Sequence, residues 1–248
     1  MSKPSHLFFD SFNNTHSMPS KNKCGGKFYV VATPIGNLGD ITLRAIETLK
    51  SADLILCEDT RETKKLLDKY NISKPTMSYH AQSKLAKIDK IFELLEEGKN
   101  IALVSDAGTP GISDPGALLV SKIKEKFSDS VQIIPIPGAT ALITALSASG
   151  LPTHKFTFLG FLPHKKGRET LFKEIAGTKR TMIFYESPHR ILKTLESLVK
   201  FCPDKKVCIA RELTKIFEEF KTGTPVEVLE YFQNNKEKQR GEFTIIVA

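Results

Sequence analysis

The segment LVSDAGTPGISDPG, Leu103 to Gly116, opens on an apolar run and passes at once into three glycines, two prolines and two aspartates. Pro110 and Pro115 have no amide hydrogen to give a helix or a central strand, and the glycines carry no side chain to pack. Ser105 to Gly116 therefore reads as a shaped loop closing a buried strand, NIALVS (Asn100 to Ser105). In an open parallel sheet, ligands bind beyond the carboxyl ends of the strands, which is where this loop stands.

On either side of it strand and helix patterns trade places. KFYVVAT (Lys27 to Thr33) and DLILC (Asp53 to Cys57) read as strands, and Asp40 to Lys50 and Thr60 to Tyr70 as helices. Leu85, Ile88, Phe92 and Leu95 mark one face of a further helix. After the loop come VQIIPI (Val131 to Ile136), a strand, and GATALITALSASG (Gly138 to Gly150), a short helix of small residues. The alternation predicts an α/β protein built on a mostly parallel sheet. Gly150 and Pro152 then break the pattern, and FTFLGFL, RTMIFYES, KVCIAREL and GEFTIIVA supply further strands between helical segments. The expected organisation is a flexible N-terminal tail over 1–26, an N-terminal α/β domain over 27–149 carrying the glycine and proline loops, and a C-terminal α/β domain over 150–248.

A chain of 248 residues, 40% of them hydrophobic, can bury a substantial core. The net charge of +8 favours an anionic partner, and the excess is mainly C-terminal: 18 Lys and Arg against 12 acidic residues in 152–248, but 18 against 16 before it. Cys24, Cys57, Cys202 and Cys208 form no CxxC pair, which suits a reducing, cytoplasmic setting. No stretch has the apolar length of a membrane span, and the N-terminus lacks a signal-peptide pattern. The histidines fall in no HxxxH or HExxH arrangement, so no metal is expected.

Three glycine and proline loops follow strands in the first half: TPIGNLGD (Thr33 to Asp40), SDAGTPGISDPG (Ser105 to Gly116) and PIPGATA (Pro135 to Ala141). Singly each reads equally as an ordinary turn; together they suit one crevice. No GxxxxGK[ST] or GxGxxG occurs, so a phosphate-bearing nucleotide is not supported. A ligand with a carboxylate, an amine, a ribose and a purine but no phosphate fits better, with Asp106 offering a full negative charge.

Long stretches carry a family resemblance. VVATPIGNLGDITLRAIETLKSADLILCEDTRETKKLL, ALVSDAGTPGISDPG, PIPGATALITALSASGLP, FLGFLP, FYESPHRI, ARELTKIFEEF and GEFTIIV resemble the ribosomal RNA small-subunit methyltransferase I family of the tetrapyrrole methylase superfamily, over nearly everything from Phe28 onward. The resemblance implies two α/β domains of the tetrapyrrole methylase type with the cofactor cleft between them, in a homodimer. It implies methyl transfer from S-adenosylmethionine to the ribose 2′-oxygen of a decoding-centre cytidine in 16S rRNA, free or within the 30S subunit. The cofactor contacts it implies are Pro34, Asp106, Ala107, Gly108, Thr109, Ser113, Asp114, Gly138, Ala139 and Thr140. Asp106, Gly108 and Thr109 would lie beside the methionine and ribose portions, with Asp114 fixing the turn. TPIGNLGD stands where superfamily relatives carry GxGPGD, a departure that points away from tetrapyrrole substrates.

Methyl transfer is an in-line displacement in which positioning supplies about 7 to 11 kcal/mol, and a general base adds a factor on the order of 10² to 10⁴. Glu186 and His80 are the candidate bases. Glu186 reads alternatively as an acid at a helix start, with Ser187 as cap and Pro188 at the first position. His80 reads as base, RNA contact or exposed loop residue. Glu58, Asp59 and Arg61 in CEDTR, and His189, also follow apolar strands and reach toward a cleft. Arg61, Arg190, Arg211 and Lys215 accompany the motifs as candidate RNA contacts. Local ion pairing, such as Arg211 with Glu212 or Glu218, is the other reading. Phe158, Phe161, Phe184 and Tyr185 either stack on a flipped base or pack in the core. Two other functions compete: a small-molecule, tetrapyrrole-like methyltransferase, and a non-catalytic RNA-binding factor that keeps the cofactor loops.

Overall fold

The computed structural model describes residues 25–80 and 85–248. The tail expected over 1–26 lies outside the described residues except for Gly25 and Gly26, and these two belong to the folded body. Their amides donate to the carbonyls of Ser130 and Leu95, and a Cβ on Gly26 would fall 1.8 Å from the Lys99 carbonyl oxygen.

The first sheet contains β1 (Lys27–Val31), β2 (Leu54–Cys57), β3 (Thr76–Ser78), β4 (Ile101–Leu103) and β5 (Gln132–Ile136). They run in the order β3-β2-β4-β1-β5, every pairing parallel. Helices α1 (Leu43–Ser51), α2 (Thr60–Lys69), α3 (Leu85–Glu96) and α4 (Gly116–Phe127) make the return crossings, and α5 (Ala141–Ala148) follows β5. Strand alternation sorts the core into two layers. Ile101 and Leu103 pack with Ile91, Leu95, Leu119 and Ile123 from α3 and α4. Ala102 and Val104 pack with Ala45, Leu49 and Leu67 from α1 and α2. The helix expected from Asp40 starts at Leu43, because Leu38–Asp40 forms a 3-10 turn and the Thr42 hydroxyl accepts from the Ala45 amide as the true cap.

The second sheet departs from the parallel expectation. It holds β6 (Phe156–Phe161), β7 (Thr181–Glu186), β8 (Val207–Arg211), β9 (Glu219–Gly223) and β10 (Phe243–Val247) in the order β6-β7-β10-β8-β9. Only β6 and β7 pair in parallel; β10 runs antiparallel to both β7 and β8, and β9 antiparallel to β8. Helices α6 (Arg168–Gly177), α7 (Ile191–Phe201) and α8 (Pro225–Asn234) cover one face. Against the other face lie Leu142, Ala145 and Leu146 of α5, packed on Ile183, Cys208, Ala210 and Ile246. The last helix of the first half is thus seated on the second sheet, which sets the two sheets on either side of one cleft. Cys57, Cys202 and Cys208 are buried free thiols, and among the described residues no helix is long and apolar enough to cross a membrane.

Candidate active site between the two sheets

Hydrogen bonds fasten the three loops to one another. Thr33 and Gly108 exchange backbone bonds of 2.9 and 3.1 Å, and the Thr33 hydroxyl donates to the Ser105 carbonyl at 3.1 Å. The Thr109 hydroxyl donates to the Ala139 carbonyl at 3.1 Å, tying in the third loop. Gly108 sits at φ +82°, with Ile35 so near that an added Cβ would come within 3.3 Å of it. One oxygen of Asp114 accepts from the amides of Gly111 at 2.7 Å and Gly116 at 2.6 Å, holding the turn that leads into α4. Asp106 accepts from the Asp59 amide at 2.9 Å, which brings in the end of β2 as a fourth edge.

These loops form one wall of a cavity of about 530 Å³, and residues of the second sheet form the other. Asp106, Ala107, Gly108, Thr109, Ser113, Asp114 and Thr140 of the expected cofactor set line it. Pro34, Gly138 and Ala139 do not. Pro34 is buried behind the loop, Gly138 is pressed against Ala32, 2.8 Å from a built Cβ, and Ala139 contributes its carbonyl to Thr109. Wall residues not expected include Ile35, Ile112, Ala210, Leu213 and Glu242. Ile35 and Ile112 belong to the first two glycine and proline loops, whereas Ala210, Leu213 and Glu242 come from the second half, outside those loops.

The charge of the wall is one-sided. Glu58, Asp106, Asp114, Glu186 and Glu242 line the cavity, and among the described residues no Lys, Arg or His does. Burial, then the neighbouring charges of Asp106 and Asp114, push the Glu58 carboxyl above its ordinary value against a smaller opposing pull from His80. Glu186 and Glu242 are paired with Arg168, Arg190 and Lys215, so Glu58, Asp106 and Asp114 are the acids that favour a cation over a phosphate here.

Glu186, expected as a base or a helix-start acid, has both oxygens committed. Arg190 lies at 2.7 Å and Arg168 at 3.6 Å, the Thr194 hydroxyl donates at 2.6 Å, and the Ser187 amide at 2.8 Å. Its side chain is fully buried. A carboxylate so occupied has both oxygens engaged by the protein and serves as the clasp joining β7 to α6 and α7. The expected Ser187 cap is corrected too, since α7 begins at Ile191 with Arg190 at the cap position. His80 is exposed at the edge of the described segment and is absent from the wall.

Of the candidate RNA contacts, Arg61 is exposed, paired with Asp59 at 2.6 Å, and lines a separate surface groove. Arg190 faces Glu186 and the Leu162 carbonyl. Lys215 bridges Glu212 and Glu242 at 3.0 and 2.8 Å. Arg211 is buried and spends its guanidinium on the carbonyls of Arg240 and Phe217, a structural role that removes it from any RNA surface. The aromatics divide: Phe184 is core, whereas Tyr185 and Phe161 line the cavity.

Fold and cavity define a methyltransferase of the tetrapyrrole methylase class: a sequence model of the Tetrapyrrole (Corrin/Porphyrin) Methylases matches residues 27–228. The uroporphyrin-III C-methyl transferase of Thermus thermophilus, solved in complex with S-adenyl homocysteine, shares the fold with a TM-score of 0.60 at 18% identity, over 89% of this chain and 97% of that one. The ribosomal RNA small subunit methyltransferase I of Synechocystis sp. is 50% identical over 90% of this chain and 79% of its own length. That of Halalkalibacterium halodurans is 52% identical over 90% and 75%. Within the class, the chain belongs to the ribosomal RNA small subunit methyltransferase I family.

Proposed function

We propose that the protein transfers a methyl group from S-adenosylmethionine to the ribose 2′-oxygen of a cytidine in the decoding centre of 16S rRNA. In this reading it acts in the cytoplasm as a homodimer on the rRNA or the 30S subunit, with 27–149 and 150–248 as its two domains. The observation that carries the cofactor is the cluster of Glu58, Asp106 and Asp114 on the cavity wall, the other two acids, Glu186 and Glu242, being paired with Arg168, Arg190 and Lys215. S-adenosylmethionine bears a sulfonium and an ammonium and no phosphate, and a cavity of about 530 Å³ suits its size. Asp106, Ala107, Gly108, Thr109 and Thr140 would hold it, the small residues letting backbone approach. When bound, it supplies a methyl group on a positively charged sulfur that keeps the bonding electron pair and departs as a neutral thioether.

The chain's own tasks are to place the 2′-oxygen in line and to take its proton. Glu58 replaces Glu186 and His80 as the proton acceptor, because it lines the cavity and its carboxylate is made more basic by its surroundings. An RNA substrate is supported by the names of the relatives and by the net charge of +8.

The test is transfer of labelled methyl from S-adenosylmethionine to purified 30S subunits lacking the modification, with the labelled nucleotide mapped by mass spectrometry. Label on a single ribose 2′-oxygen at the decoding centre is the expected result. Cofactor binding with no label in RNA would put the tetrapyrrole-like methyltransferase first.

A further inference from the structure

Two apolar side chains stand uncovered at the cavity. Ile112 is 44% exposed and Phe161 57% exposed, and both belong to its lining, one from the 105–116 loop and one from the end of β6. Two backbone irregularities bring them there. The pairing of β6 with β7 slips register between Phe158 and Phe161, where Gly160 adopts φ +64°. A Cβ at Gly160 would stand 3.1 Å from the Ser113 hydroxyl, so the bulge rests on the loop. Ser113 is itself left-handed, at φ +64°, a conformation that costs a residue with a side chain. The residue before Ser113 and the residue after Gly160 are therefore delivered to the same cavity from opposite sides. Behind Phe161, the Tyr185 ring meets it at 5.5 Å in an edge-on arrangement that buttresses the phenyl group.

An occupant of this corner needs an apolar, flat body, since it meets Ile112 and Phe161. A phosphate is disfavoured there, since the charged side chains that line the cavity among the described residues are carboxylates. A nucleobase has that body, and its attached phosphates are the part that must stay outside. We propose that Ile112 and Phe161 wall a slot that receives the nucleobase of the target nucleotide, extruded from its stack, while the RNA backbone stays outside the cavity. The proposal rests on the RNA reading above. RNA-binding proteins commonly hold splayed bases against aromatic rings, and a base held so fixes the position of its attached ribose.

The test is a double-mutant cycle under single-turnover conditions. Wild type, Phe161→Ala, Phe161→Tyr and Ile112→Ala are each given 30S subunits assembled with either cytidine or an abasic ribose, which keeps its 2′-hydroxyl, at the target position. On the cytidine subunits, Phe161→Ala loses about 5- to 100-fold in kcat/KM, mainly through KM, the range expected for one lost stacking partner. Ile112→Ala moves in the same direction, and Phe161→Tyr restores most of the loss. On the abasic subunits wild type falls to a similar level and Phe161→Ala adds little, so the two losses couple. Calorimetric affinity for S-adenosylmethionine stays near wild type in each variant, separating a base contact from a disturbed fold. The slot is overturned when Phe161→Ala equals wild type on cytidine, or when its loss and that of the missing base multiply independently. If wild type itself leaves 30S subunits unlabelled, the RNA reading falls and takes the slot with it.

Discussion

Glu58 shows how a residue can be visible in a sequence while its task is not. CEDTR places a carboxylate after an apolar strand, but what makes it basic, burial first and then the charges of Asp106 and Asp114 far along the chain, arises only through the fold. Glu58→Gln is expected to lower the single-turnover methylation rate at saturating cofactor by roughly 10² to 10⁴. The same substitution should stabilise the protein at neutral pH. With the folded pKa raised above the ordinary value, the folded state holds the proton more tightly, and stability falls as pH rises through that window. Glutamine removes the loss, so denaturant midpoints of wild type and variant should converge on acidification. Asp106→Asn keeps an oxygen for the Asp59 amide but removes a charge that raises Glu58. The rising limb of the pH–rate profile at saturating cofactor should therefore move to lower pH, and a limb left in place would assign the proton transfer to another group.

At the scale of elements, most strands and helices were legible because their apolar periodicity is strong, and two strands were not. Thr76–Ser78 is three residues long, and Glu219–Gly223 is half polar, so neither carries a period. Strand direction was equally hidden: FTIIV is buried throughout because it enters the middle of the second sheet, and burial on both faces says nothing of whether its neighbours run with it. The turn after β7 was misread for a different reason. Ser187-Pro188 has the composition of a helix start, but Glu186 captures the Ser187 amide and both arginines, and the helix waits until Ile191. Glu186→Ala would leave two guanidinium groups and the Thr194 hydroxyl facing an empty, buried site. The expected cost is about 3 to 5 kcal/mol, read as a lowered urea midpoint. An unchanged midpoint would mean that the cluster is held together by its backbone carbonyl contacts alone.

Across the whole molecule the charges are segregated: an excess of +8 overall, but among the described residues only carboxylates as charged side chains on the cavity lining. Composition announced the first half of that statement, whereas the second needed the fold, since Asp106 and Asp114 share one loop but Glu58, Glu186 and Glu242 come from three other places in the chain. A polyanion held by such a body has to lie on its outer surface, and the groove beside the edge strand β3 has the right lining, with Arg61, Lys64 and Lys74 around it. Arg61 and Lys64 already pair with Asp59 and Asp68, so part of their charge is spent locally, which makes Lys74 the more informative residue to change. Binding to 30S subunits should weaken as salt rises, with a log–log slope of about −0.7 for each single-stranded phosphate neutralised. Lys74→Gln should make that slope shallower by roughly 1 or a little less, weaken binding on all RNA sequences alike, and leave affinity for S-adenosylmethionine at the wild-type value. Filter binding across a salt series decides it: a variant whose slope matches wild type would move the phosphate path off this edge and toward the more basic C-terminal half.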